Sequence, residues 1–226
     1  MNNCQYTQTQ VLPQINKSFQ EVGELSLEKP IAEAIKCYLT LDSKLFEAYM
    51  EQKIEPIVAI IEPSMYVGKY DWARCPKPED TRDYVKEIIF NVISVHAEVD
   101  RVSPRNSTHV QQAMVRIVEA ITEEVNRLFC VISRMNSNGC IQVFNMFDFK
   151  NFSFSFFLFQ AWIDINCLRS ALRPYLSKAS RDYLDEASKP LLDLERPGDS
   201  EIVKACEAEF QQRMKYHMYA LNAHNA

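Results

Sequence analysis

The chain has 226 residues, a formal net charge of −5 at pH 7, 47% hydrophobic residues and 24% charged residues. This balance is typical of a soluble globular protein of one large or two small domains, and it excludes an overall positive field that would attract nucleic acid. Only four glycines occur. Because β-turns and phosphate-binding loops depend on glycine, the composition predicts an all-α fold.

The N-terminus and the cysteines both indicate a cytoplasmic protein. The first ten residues, MNNCQYTQTQ, lack the basic and apolar parts of a signal peptide. Seven cysteines are present, an odd number, and none has the spacing of a metal knuckle or a redox pair. We therefore expect reduced thiols. The glutamine-rich start predicts a frayed or partly ordered segment over residues 1–25.

The first predicted helix begins near Pro30, where a missing backbone N–H costs nothing. Apolar residues at steps of three and four continue to Tyr49 and predict an amphipathic helix. Pro56 is expected to kink or split it, because the proline ring clashes with the preceding turn. The apolar run that ends at Ile61 closes this element before Pro63.

Residues 62–80 are the least periodic part of the chain, with three prolines and a cluster of aromatic residues. Burying one aromatic side chain is worth ~1.5–3 kcal/mol. We therefore predict that Tyr66, Tyr70 and Trp72 pack in an ordered loop. Asp71 would be internal polar glue for this loop or a contact point for a partner.

Two long helices follow the loop. An apolar stripe predicts one helix over residues 81–102, ended by Pro104. A second stripe predicts a helix over residues 109–135, about 40 Å long at 1.5 Å per residue. The sequence Asn-Ser-Asn-Gly at 136–139 is expected to stop it.

Shorter helices complete the chain. They are predicted over residues 161–172, over 178–188 with Ser177 as its cap, and from Ser200 and Glu201 onward. Long helices joined by short breaks predict an elongated antiparallel helical bundle over residues 26–226.

Residues 143–160, VFNMFDFKNFSFSFFLFQ, hold eight of the 13 phenylalanines of the chain. Neither a helical nor a clean strand period explains this segment, and Asp148 and Lys150 argue against a membrane span. At the codon level it can begin with GT, carry a pyrimidine tract and end in CAG, as a short intron does. We interpret it as an irregular Phe-rich insertion or a translated retained intron; the alternative is a genuine Phe-rich insert.

The sequence gives only weak candidates for catalytic residues. The sequence contains no nucleotide-binding glycine loop, no zinc spacing and no nucleophile motif. His96 and Glu98 are two residues apart on a helix and so face different ways, and Glu123 with Glu124 is most simply a solvated pair. We expect no enzyme activity, no catalytic residue, no cofactor and no metal.

Three stretches carry a family resemblance: IEPSMYVGKYDW at 61–72, RDYVKEIIFNVISVHAEV at 82–99 and IVEAITEEVNRLFCVISRMNSNG at 117–139. In this order they resemble the C-terminal region of the exocyst complex component 2 family. That family continues directly from Asn-Gly to a Gln-Ala joint. Removing residues 143–160 joins Gln142 to Ala161 and restores the family pattern.

The resemblance marks four residues of the aromatic loop as a family signature. Tyr66, Gly68, Asp71 and Trp72 match the pattern E-x-x-x-Y-x-G-x-x-D-W. The resemblance implies a structural role or a partner contact for them.

The resemblance also implies a helical rod and a scaffold function. The family member is a subunit of a hetero-octamer that tethers secretory vesicles to the plasma membrane before exocytosis, in transport from the Golgi. Partners would be other exocyst subunits, with a cytoplasmic location that is peripheral at the plasma membrane through the complex. The N-terminal family domain that binds Ral-type GTPases has no counterpart here, so Ral binding is not expected.

Three rival hypotheses remain. The first is a stand-alone small helical adaptor or a non-functional fragment that competes with the full-length subunit. The second is a helical enzyme, which needs a polar cleft with convergent ionisable groups. The third is a membrane-inserted protein, which rests only on the Phe-rich segment.

Overall fold

The computed structural model describes residues 2–23, 27–66, 77–102, 109–144, 152–194 and 200–222. Side chains are described at these positions except at 131–144, 152–158 and a few positions near segment ends.

The secondary structure of the described residues is entirely helical. The helices are α1 Asn2–Tyr6, a π-helical turn Thr7–Val11, α2 Leu12–Glu21, α3 Glu28–Tyr66, α4 Asp83–Val102, α5 His109–Phe144, α6 Phe152–Ala171, a 3-10 turn Arg173–Tyr175, α7 Lys178–Leu194 and α8 Glu201–Asn222. The all-α fold class predicted from the composition is therefore confirmed.

Helix α3 is a single helix of 39 residues, although two prolines lie inside it. Pro56 and Pro63 are both exposed, and so are Gln52 and Ala59, whose carbonyls would have been their hydrogen-bond partners. Those carbonyls face water, which reduces the cost of the missing bonds. The predicted split at Pro56 and the predicted end before Pro63 are wrong for this reason.

Helix α5 also runs further than the sequence predicts. It continues past Gly139 and ends at Phe144, instead of stopping at the Asn-Ser-Asn-Gly run. A glycine inside a helix costs only about 1 kcal/mol relative to alanine. In a long, already nucleated helix each further residue needs no new nucleus, so this cost does not stop the helix.

Both ends of the described chain are helical. Residues 2–21 form helices, and the fraying expected over residues 1–25 stays a prediction. Helix α1 packs on α3 and buries Cys4, and the Thr7 hydroxyl donates a hydrogen bond to the Asn3 carbonyl at 2.8 Å. At the other end, α8 begins at Glu201 as predicted, and the Ser180 N–H donates to the Ser177 hydroxyl, which confirms Ser177 as the cap of α7.

Helices α6 and α7 are longer than predicted. Helix α6 begins at Phe152, so residues 152–160 of the Phe-rich segment are helical and continuous with 161–171. Helix α7 continues to Leu194, because Leu191 is still buried in the core. The origin of residues 143–160 as an insertion or intron stays a prediction.

One hydrophobic core joins α3 to α8. Helix α4 lies at its centre and packs against α3, α5, α6 and α8. Its predicted stripe is buried as expected, at Tyr84, Val85, Ile88, Ile89, Val92, Val95 and Val99. The opposite face of α5 is exposed at Gln111, Arg116, Glu123 and Arg127, as its charge pattern predicts.

Candidate functional site

The family-signature loop lies between α3 and α4. Tyr66 is the last residue of α3, and its side chain lies outside the described part of the chain, as do Gly68, Asp71 and Trp72. On either side of the loop the chain is anchored in the core. Met65 is fully buried, and the Cys206 thiol on α8 donates to the Pro78 carbonyl at 3.6 Å.

The most unusual polar group in the core is Asp164 on α6, which is fully buried. Its Oδ1 accepts a hydrogen bond from the Arg82 backbone N–H at 3.1 Å and another from Gln160 Nε2 at 2.9 Å. Its Oδ2 lies 3.6 Å from Arg82 Nε, and that arginine side chain is itself buried. A buried ion pair with these extra hydrogen bonds fixes α6 against the start of α4.

A second carboxylate, Asp80, ties the start of α4 to α8. It accepts bonds from Lys86 Nζ at 2.7 Å and from Arg213 Nη1 at 2.8 Å, and its Oδ1 accepts the Thr81 N–H at 2.7 Å. The Asp80 backbone carbonyl accepts a bond from Gln160 Nε2 at 3.0 Å. Gln160 therefore bridges the two carboxylate residues.

Burial and charge move the pKa values of this polar cluster in opposite directions. Burial raises the pKa of Asp164 to about 6, although Arg82 opposes the rise. For Asp80, partial burial is outweighed by the bonds from Lys86 and the Thr81 N–H, and its pKa is lowered. Burial and the Asp164 charge raise the pKa of Tyr84 well above its usual value.

A second set of polar contacts links the middle of α3 to α4 and α5. Lys53 Nζ donates to Glu98 Oε2 at 2.8 Å, and the Tyr49 hydroxyl donates to Glu98 Oε1 at 3.2 Å. Burial and the Glu98 charge raise the pKa of Tyr49 to about 12. Arg116 forms a two-bond pair with Glu47 at 2.9 and 3.0 Å, and both side chains are exposed.

The N-terminal helices carry exposed apolar side chains. Ile15 and Phe19 are one turn apart on α2, and Leu41 and Leu45 are one turn apart on α3. Leu39 is also exposed, and α2 packs beside α3. Exposed apolar residues on neighbouring helices are candidates for a protein interface.

A cavity of about 300 Å³ opens between α6 and α8. The aromatic side chains of Trp162 and Phe210 line it, together with Glu207, whose pKa is raised by burial. Its described lining holds one carboxylate and no second ionisable group that could pair with it as an acid and a base.

The weak catalytic candidates are placed apart from one another. His96 is buried, with its ring centroid 5.9 Å from that of Tyr175, while Glu98 points to α3. Glu123 is exposed, and Glu124 pairs with Arg127. The structure brings neither pair together as an acid and a base.

Two searches of the described ranges gave negative results. No group of three or more histidine, cysteine or acidic side chains there could hold a metal ion. None of the helices there is long and apolar enough to cross a membrane.

Sequence reasoning did not find Asp164, Arg82 or Gln160 as a cluster. Asp164 was detectable in principle, because it lies within the apolar run Ala161–Leu172 on a helix whose neighbouring positions are buried. Its partner Arg82 is 82 positions away in the chain, and no local pattern connects the two.

Three comparisons relate the chain to known proteins. The family described as exocyst complex component Sec5 matches residues 1–209. Exocyst complex component 2 of Homo sapiens is 28% identical over 223 residues, which are 99% of this chain and 22% of that protein. The protein of the same name from Mus musculus is 30% identical with the same coverage, and that from Drosophila melanogaster is 30% identical over 140 residues, 62% of this chain and 13% of that protein.

The chain therefore spans about a fifth of the length of the curated relatives it matches most fully. No solved structure matches it. The family match covers most of the chain, including α3 to α7 and the first part of α8. This chain belongs to the Sec5 family of exocyst complex components.

Proposed function

We propose that the chain is the C-terminal part of an exocyst subunit and acts as a scaffold in tethering secretory vesicles to the plasma membrane before exocytosis. The observation that carries this proposal is the family match over residues 1–209, which agrees with the order of the three sequence stretches noted above. The proposed partners are other exocyst subunits. The proposed location is cytoplasmic and peripheral at the plasma membrane through the complex.

The length of the helices supports a rod-like role. Helix α3 has 39 residues and α5 has 36, which at 1.5 Å per residue correspond to about 58 and 54 Å. Helices of this length, side by side in one core, suit an elongated antiparallel bundle. Such a bundle would hold binding surfaces at its two ends a fixed distance apart. Binding would then use helix faces and the charges around them.

The exposed apolar side chains of α2 and the first half of α3 are the proposed contact surface. Leu41 is 45% exposed and Leu45 44% exposed, and the two lie one turn apart on one face of α3. Apolar groups of this size gain ~1.5–3 kcal/mol each when a partner buries them fully. We propose that this surface is covered by another subunit in the assembled complex.

The signature loop is proposed to be structural. Met65 and Pro78 on its two sides are buried. We propose that Tyr66, Gly68, Asp71 and Trp72 pack against the bundle between these two buried positions.

Co-purification tests the proposal. The tagged chain is expressed with the remaining exocyst subunits, and the subunits it retains are measured beside a variant with Leu41→Lys and Leu45→Lys. A variant with Gln111→Lys and Gln112→Lys is the control, because it adds the same two charges at exposed positions of α5 outside the proposed surface. We expect the wild type and the control to retain other subunits and the double variant to lose them. A wild type that retains none would overturn the proposal in favour of a stand-alone adaptor.

A further inference from the structure

The cavity between α6 and α8 has the size of a side-chain pocket. Its volume of about 300 Å³ lies at the lower limit of ligand pockets, which span ~300–1,000 Å³. The buried side chains of Cys167 and Phe210 line it together with the half-buried ring of Trp162. It therefore offers apolar and aromatic surface to one inserted group.

Among the described residues that line this cavity, Glu207 is the only charged one. Within the described part of the chain it has no hydrogen bond or ion pair, and burial raises its pKa. A half-buried carboxylate is only partly hydrated, so its charge is less favourable than in water. A cation bound in the cavity would remove that cost.

The surroundings of the cavity are also acidic. Glu79, Asp80, Glu207 and Glu209 all lie close enough to Cys206 to raise its pKa, after the larger effect of burial. Asp80 and Glu209 are paired with cations, so Glu207 is the acidic group at the cavity that is open to a positive partner.

Two nearby cations are engaged elsewhere. Lys86 pairs with Asp80 at 2.7 Å, and Arg213 pairs with both Asp80 and Glu209. Neither pairs with Glu207, and Lys204, one turn before Glu207 on α8, is exposed to water.

The remaining lining residues select among possible cations. An arginine guanidinium stacks on aromatic rings, binds carboxylates with a planar fork and has five N–H donors. Trp162 supplies a ring, and the side-chain oxygens of Asn166, Ser170 and Gln211 supply further acceptors. This combination suits an arginine better than a compact ammonium group.

We propose that the α6–α8 cavity binds an arginine side chain of another exocyst subunit, with Glu207 as its counter-ion and Trp162 as its stacking surface. The partner follows from the proposed function, so the inference rests on it. The cavity is a different surface from the exposed apolar residues of α2 and α3.

Affinity measurements on purified subunits test the inference. The chain is titrated with the exocyst subunit it retains in co-purification. Glu207→Gln is expected to weaken binding by about 30-fold or more, the usual effect of removing one partner of a desolvated charge pair. Trp162→Phe is expected to weaken it by roughly five-fold.

Two controls exclude trivial losses. Glu123→Gln removes the same charge from an exposed position on α5 and is expected to leave affinity unchanged. Glu207→Gln is expected to keep or raise the thermal midpoint of the free chain, because it removes a partly buried charge without a partner. A loss of binding therefore cannot be attributed to unfolding.

A cross-link identifies the inserted residue. Gln211, an exposed lining residue, is replaced by a photoreactive phenylalanine analogue and irradiated in the reconstituted complex. The expected product joins position 211 to a partner segment that contains an arginine. Changing that arginine to lysine should weaken binding at least as much as Trp162→Phe does. Full affinity with lysine, or a cross-link only within the chain itself, overturns the inference.

The outcomes separate the two proposals. If the wild type binds its partner and Glu207→Gln binds equally well, this inference fails and the proposed function stands. If the wild type binds no exocyst subunit, both fail.

Discussion

The two halves of α3 differ sharply in how far their side chains are buried, although they belong to one helix. From Glu28 to Tyr49 no residue is buried, whereas Met50, Ile57, Ile61 and Met65 are buried on one face of the second half. Both halves carry apolar residues at helical spacing. The difference shows that an amphipathic stripe predicts a helix and an apolar face, but does not say whether the chain itself covers that face.

The largest expected effect lies in the core to which the second half belongs, where α6 meets the start of α4. Asp164→Ala should lower the free energy of unfolding by about 3–5 kcal/mol, because it removes the carboxylate that pairs with the buried Arg82 guanidinium, which cannot lose its proton. Urea unfolding followed by circular dichroism measures this. Arg82→Met is the matched control and should cost less at acidic pH, where the remaining carboxyl can take up a proton. Equal costs for the two variants at acidic pH would contradict this account of the pair.

A direct comparison of the two halves uses one truncation in each. Ile61→Ala, at a fully buried position, should cost ~2–5 kcal/mol. Leu45→Ala, at a position 44% exposed, should cost less than ~1 kcal/mol. The change in denaturant midpoint measures both losses of stability, provided that the dependence of the unfolding free energy on denaturant concentration is unchanged. A loss at Leu45 as large as that at Ile61 would mean that the first half is packed within the chain.

The pH dependence of stability provides a third test. The pKa of Asp164 is raised from 3.8 to about 6 in the folded chain. The folded state then binds this proton more tightly, so this group contributes stability below pH 4 that is lost as the pH rises through 6. The cost of Asp164→Asn should therefore grow by roughly 2–3 kcal/mol between pH 7 and pH 4. A cost independent of pH over this window would show that the carboxyl titrates normally.

The smallest expected effect concerns the exposed pair that links the first half of α3 to α5. Arg116 and Glu47 are each about half exposed, and the Arg116 bond lowers the pKa of Glu47. A double-mutant cycle with Glu47→Gln and Arg116→Gln should give a small coupling that decreases further in 1 M salt. A large coupling that does not change with salt would contradict the exposed character of this pair.

The fold was predictable where a local pattern decides it. The buried stripe of α4 from Tyr84 to Val99, the Ser177 cap and the start of α8 follow from spacing and capping chemistry. The continuity of α3 was not predictable, because it depends on Pro56 and Pro63 both lying on the water side of the helix. That side is known only once the packing is known.

The candidate site was harder to predict than the fold. The Arg82–Asp164 pair and the cavity between α6 and α8 join residues far apart in sequence. Their positions depend on which helices become neighbours, and a periodic pattern carries no such information. The four signature residues were found through a resemblance, and their roles stay predictions.

The hydrogen bond from Gln160 to Asp164 bears on the proposed origin of residues 143–160. Gln160 is the last residue of the Phe-rich segment and lies four positions before Asp164, to which it donates its bond. In a transcript without the codons for residues 143–160, Gln142 would directly precede Ala161 and stand four positions before the same aspartate. If residues 143–160 are a retained intron, as we propose, the spliced and the unspliced product would both have a glutamine at this place. We expect the chain lacking 143–160 to unfold at the same denaturant concentration as the full chain, and a clear loss would favour a genuine Phe-rich insert.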